Sequence, residues 1–197
     1  MARTRKLFPI YGSALANNML ATLVHDRIVN GFVTAYVSQY DRKGILGGPA
    51  RDRELAETIG REIVLALIVE VEGLMPSFFG KKQKKKLKVD ERQAIDLFLR
   101  ELRAALERAY NWNGEDRKQF HRDLTMYTDF DARREVAASV RKKGKAQEEE
   151  APFVARVALL LDPSMLEQSR RAARKFYGGM GVLARKLLRQ TLSPQRS

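Results

Sequence analysis

The chain has no cysteine. Disulfides, thiolate nucleophiles and cysteine-ligated zinc sites are therefore excluded, and the usage fits a reducing compartment. Histidine is almost as scarce, with only His25 and His121 among 197 residues. His25 adjoins Asp26 and His121 lies near Asp123, but neither falls in an HExxH or ExxH spacing, so no converging metal-ligand set can be written. Long apolar runs are missing too. The longest uncharged one, Ile63 to Val69, is far below the ~18 residues of a membrane-spanning helix. No GxxxxGK[ST] phosphate loop occurs, and no nucleophile–base pair can be assembled. The expectation is a protein that is not an enzyme and carries no cofactor or metal.

Acid is missing from two particular places. Lys81, Lys82, Lys84, Lys85, Lys86 and Lys88 carry +6 in eight residues without an acid among them. From Gln168 onward Arg170, Arg171, Arg174, Lys175, Arg185, Lys186, Arg189 and Arg196 carry +8, again without Asp or Glu. Together they hold +14 against a net charge of +13, so the rest of the chain sums to −1. The positive field is confined to two segments, and it calls for an anionic partner.

What is present is helical patterning. Hydrophobic residues make up 44% of the chain, enough for a sizeable core. After an irregular basic arm over 1–12, Ser13 or Asn17 is placed to cap a helix reaching about Tyr40, with Leu20, Val24, Ile28, Phe32 and Tyr36 on one face. Turn chemistry follows over 41–50. A second helix is expected from Asp52 to about Glu72, apolar around most of its circumference, with Glu62, Ala66 and Glu70 as a narrow polar stripe. The β-branched residues within 63–71 leave a strand as the alternative. Asp90 with Gln93 forms a capping box for a third helix that Asn113-Gly114 would stop. Shorter helices are expected from Glu115 to about Phe130 and from Asp131 to Arg141.

Residues 142–150 (KKGKAQEEE) read as a charged linker. Pro152 suits the first turn of a helix through Leu161, Asp162-Pro163-Ser164 breaks it, and Ser164 with Glu167 makes another capping box. Helices over Met165–Tyr177 and Val182–Thr191 flank Gly178-Gly179-Met180-Gly181. The reading is all-α: a single-domain bundle of about six to eight helices. It comprises a helical core over 1–141 with a lysine-rich loop at 81–88, the linker, C-terminal helices over 151–192 packing on the core, and a disordered tail at 193–197.

Function follows from the charge. Lys81 to Lys88 and the C-terminal residues Arg170, Arg171, Arg174, Lys175, Arg185, Lys186 and Arg189 are the candidate nucleic-acid contacts, neutralising phosphates of RNA or DNA without reading sequence. Six of the eight C-terminal basic residues are arginines, whose planar fork suits phosphate. An accessory role in a nucleoprotein assembly would fit. The main alternative is a structural subunit that meets an acidic protein or a second copy of the chain. A further one is attachment to an anionic membrane surface through Phe78, Phe79 and the lysines. The GxxG between the last helices offers a close backbone approach to phosphate, set against a simple helix break. Glu62 and Glu70, two turns apart (~12 Å), are too distant to share a proton; a solvated stripe or ion pairs with a neighbouring helix account for them. At the N-terminus, the basic start and Ala14-Leu15-Ala16 resemble an export signal, but Pro9 and Gly12 interrupt its short apolar part, so a cytoplasmic location is expected.

Overall fold

A computed structural model describes residues 9–25, 31–32, 36, 49–79, 88–140 and 150–192. Among them are seven α-helices, two 3-10 turns and no strand. The chain is all-α, as the patterning predicts. The helices are α1 (Pro9–His25), α2 (Pro49–Leu74), α3 (Val89–Tyr110), α4 (Gly114–Val140), α5 (Pro152–Leu161), α6 (Leu166–Tyr177) and α7 (Met180–Leu192). No described helix is long and apolar enough to cross a membrane. The residues sort into two compact units, one drawn from 1–26, 70–118 and 181–197, the other from 27–69 and 119–180.

In the first unit α1 packs along α3. Leu15 and Met19 face inward, as do Ile95, Phe98, Leu102 and Leu106, whose three- and four-residue spacing was legible in the sequence. Gly12 makes the close approach possible. A Cβ there would stand 2.5 Å from the Phe98 carbonyl oxygen and 2.8 Å from the Leu102 nitrogen. The glycine that reads as an interruption of a short apolar stretch in an irregular arm is thus a packing residue on a helix. Helix α1 also starts earlier than expected, at Pro9, where a missing N–H costs nothing. Ser13 therefore does not cap it; its hydroxyl donates to Glu101 at 2.5 Å, and that bond, with Arg108, holds the Glu101 carboxyl below its usual range. Asn18 Nδ2 donates to Thr191 on α7 at 2.9 Å.

Other boundaries shift for local reasons. Helix α3 begins after Lys88, whose N–H donates to Glu91 at 2.8 Å; the expected Asp90/Gln93 box lies two residues inside, within the first turn. Its stop is Asn111, at φ 50° in the left-handed region, rather than Gly114. Asn113 instead caps α4, its side-chain oxygen accepting from the N–H groups of Glu115 and Asp116 at 2.9 Å each. The two short helices expected after it are one, Gly114 to Val140.

In the second unit Ile63 to Val69 are all buried within α2, so this stretch is helix and not strand. Helix α5 begins at Pro152 as expected and packs on α6. The turn between them is capped by Asp162, which accepts from the Ser164 N–H at 2.8 Å and takes the role assigned to Ser164. Phe153 stacks between Phe176 (6.0 Å) and Tyr177 (5.5 Å), and Phe32 meets Phe176 at 4.5 Å. Tyr36 and Ser169 share a buried hydroxyl bond of 2.6 Å.

Replacing Gly12 by Ala forces α1 away from the α3 backbone and is expected to destabilise the protein by about 1–3 kcal/mol in urea unfolding. An unchanged midpoint would mean that the two helices do not meet at Gly12.

Candidate functional site

Two groups of side chains stand out, one buried and one exposed. The buried group lies in the second unit around Glu62, which is 2% exposed on a helix otherwise apolar at this level. Its two oxygens are both engaged: Tyr127 on α4 donates to Oε2 at 2.7 Å, and Arg156 on α5 reaches Oε1 at 2.8 Å. Arg156 also grips Asp123, one turn before Tyr127, at 2.6 and 3.3 Å. Gln119 donates to Asp123 at 2.9 Å, and Arg61 approaches it at 3.7 Å. Two carboxylates thus face two guanidiniums, and α2, α4 and α5 are held in register through one arginine.

Of the two explanations for Glu62, the solvated stripe is wrong and the ion pair with a neighbouring helix is right. Burial raises the Glu62 pKa above its ordinary value, and the Tyr127 bond and the Arg156 charge only partly oppose it. Burial and the adjacent Glu62 carboxylate push the Tyr127 hydroxyl up as well. His121 is not in this group; it lies exposed beside Phe120. The side chain of His25 is outside the described residues. Among the described residues no cluster of three or more metal-ligating side chains is present.

The exposed group is the last helix. On α7 Met180, Ala184, Leu187 and Leu188 are buried. Arg185, Lys186 and Arg189 project from the opposite side, all exposed, and none has an ion-pair partner among the described residues. Val182, an apolar residue, is 71% exposed and lies between these cations on the helical wheel. No acidic residue interrupts the helix.

Helix α6 differs. Arg171 and Lys175 are exposed and unpaired among the described residues, but Arg170 and Arg174 are taken. Glu150 pairs with Arg174 at 2.7 Å and with Arg170 at 3.2 Å, while Glu167 pairs with Arg170 at 2.9 Å. Four cations on this face are offset by two carboxylates, whereas the three on α7 keep their full charge.

The GxxG turn provides no anion cradle. Gly178 has ordinary helical dihedrals, and a Cβ on Gly181 would come within 3.2 Å of the Glu70 carboxylate. The place near the start of α7 where a phosphate could sit is next to the chain's own anion. Of the lysine run, only Lys88 falls within the described residues, exposed at the head of α3; Lys81, Lys82, Lys84, Lys85 and Lys86 lie outside them, as do the side chains of Phe78 and Phe79. No known protein family, curated protein or solved structure matches the chain.

Asp123, Tyr127, Arg156 and Glu150 were all missed in the sequence. A signal existed for two of them: Asp123 and Tyr127 are four apart, one polar ledge on a helix face, opposite a helix whose buried glutamate needs partners.

Replacing Arg156 by Met leaves Glu62 and Asp123 buried without their shared cation. We expect a loss of about 2–4 kcal/mol near neutral pH, below the fully buried figure because the guanidinium is 34% exposed. The loss should shrink on acidification. Glu62 has a raised folded pKa, so its protonation favours the fold; that contribution is complete below its ordinary value of 4.5 and is lost as pH rises through the raised one. Removing Arg156 raises that pKa further and enlarges the loss. Equal destabilisation at about pH 5 and about pH 7.5 in urea titrations would contradict this.

Proposed function

We propose that this chain binds the phosphate backbone of nucleic acid without reading its sequence, as an accessory component of a nucleoprotein assembly. The observation that carries the reading is the outer face of α7. Arg185, Lys186 and Arg189 share one exposed stripe with no acid on the helix and no ion-pair partner among the described residues. A cation left unpaired on a rigid helix is a preformed phosphate contact, because binding releases the condensed counterions and no internal pair has to break. Arginine adds a planar donor fork that matches phosphate oxygens.

Arg171 and Lys175 on α6 provide further contacts of the same kind, and the lysines of 81–88 add charge that needs no exact geometry. Nothing in these faces resembles a base-reading element, so the expected discrimination between sequences is small. In this reading the buried Glu62–Arg156–Asp123 group is structural. It orients helices and leaves both Glu62 oxygens already occupied.

The test is the triple variant R185Q/K186Q/R189Q. Against a short DNA duplex the slope of log K on log salt should flatten by about 3, at ~0.9 for each lost phosphate contact, and by the same amount for unrelated sequences. A slope that is unchanged would remove α7 from the interface. Binding to an acidic protein at fixed stoichiometry, with none to the duplex, would favour the protein-assembly reading.

A further inference from the structure

The cations of α6 are held in a way that those of α7 are not. Arg170 and Arg174 stand one turn apart, and both turn toward a single carboxylate, Glu150, which precedes α5. Glu150 lies at the end of Glu148-Glu149-Glu150, the only run of three acids in the chain. Its contact with Arg174 is a good hydrogen bond at 2.7 Å. Its contact with Arg170 is close but misaligned, so that the buried Arg170 Nε has no hydrogen-bond acceptor. Arg170 also keeps Glu167 on its Nη1 at 2.9 Å, but Glu150 is the one carboxylate shared by both guanidiniums, and with the Nε donor left over it fills the anion site between them incompletely. Successive diesters along a nucleic-acid backbone, each with two non-bridging oxygens, can give each guanidinium an acceptor of its own and fill it better.

We infer that Arg170 and Arg174 form a second phosphate site of this protein, which Glu150 occupies until a nucleic-acid phosphate displaces it. This rests on the backbone-binding reading above and adds a regulated surface to it. Ion pairs that stand partly open to solvent, as these do, are weak, and a polyanion brings many phosphates to one helix face, so displacement is feasible. The α7 face then makes the first contact. Helix α6 joins only after Glu150 has been displaced, and its contribution is masked in the unbound protein.

The measurement is duplex affinity and its salt slope for four proteins: wild type, E150Q, R170Q/R174Q, and the triple variant E150Q/R170Q/R174Q. D129N serves as the charge control, since Asp129 is exposed and without an ion pair among the described residues. E150Q should bind about fivefold tighter than wild type, with a slope steeper by about 1–2, and D129N should change affinity by about twofold at most. R170Q/R174Q alone should weaken binding by less than the α7 variant does, because displacing Glu150 offsets most of what those cations gain from phosphate, yet the same pair should erase the gain seen in E150Q. If wild type binds and E150Q does no better than D129N, the inference is overturned while the backbone reading stands. If E150Q fails to fold, R170Q/R174Q decides: a loss as large as that of the α7 variant shows the site open from the start and overturns the inference. If wild type does not bind the duplex at all, both fall together.

Discussion

A carboxylate on a helix that is apolar around most of its circumference goes into the interior, and Glu62 goes there on α2. An uncompensated charge in that place would cost several kcal/mol, so the packing of the second unit is constrained to bring partners to it. Tyr127 and Arg156 are those partners, and Arg156 holds Asp123 from the same position in which it reaches Glu62. One guanidinium thus sets where α5 lies against α2 and α4. A purely hydrophobic contact among the same helices would allow them to slide; three directional bonds do not.

The same accounting explains the surface. A chain with a net charge of +13 repels itself, and the described structure decides which of its cations are paired locally and which are left over. Arg61 and Arg156 are matched by buried carboxylates, Arg108 by Glu101, and Arg170 and Arg174 by Glu150. What remains unmatched on α7 is a compact set: Arg185, Lys186 and Arg189, at full charge on a helix anchored by Ala184, Leu187 and Leu188. The distinction between α6 and α7 is therefore one of partners rather than of composition. Both helices read as equally basic, and only the fold shows that two of the four cations on α6 are already paired.

Much of the fold was legible because it depends on local rules. The start of α5 at Pro152, its break at Asp162-Pro163 and the inward face of α3 follow from chain stiffness and period. The caps were less so. Asn111, not Gly114, takes the left-handed position, and Asp162, not Ser164, caps the next turn, because neighbouring candidates differ by less than tertiary packing contributes. Gly12 was misread, and for Glu62 the sequence could not choose between a solvated stripe and the ion pair that the fold shows. Each was singled out in the sequence, but the meaning of each is set by residues far along the chain: Phe98 and Leu102 for the glycine, Tyr127 and Arg156 for the glutamate. The same holds for Glu150, which reads as the end of a solvated linker until its arginines are seen.

The most direct test of this division of charge is to follow arginine side-chain Nε–Hε signals by NMR while titrating unlabelled short DNA duplex into the full-length protein. The account predicts that the signals of Arg185 and Arg189 shift and broaden first, and that the signal of Arg156 does not move. Shifts at Arg156 together with silent Arg185 and Arg189 would contradict it, because the unpaired cations of α7 would then not be the ones that meet phosphate.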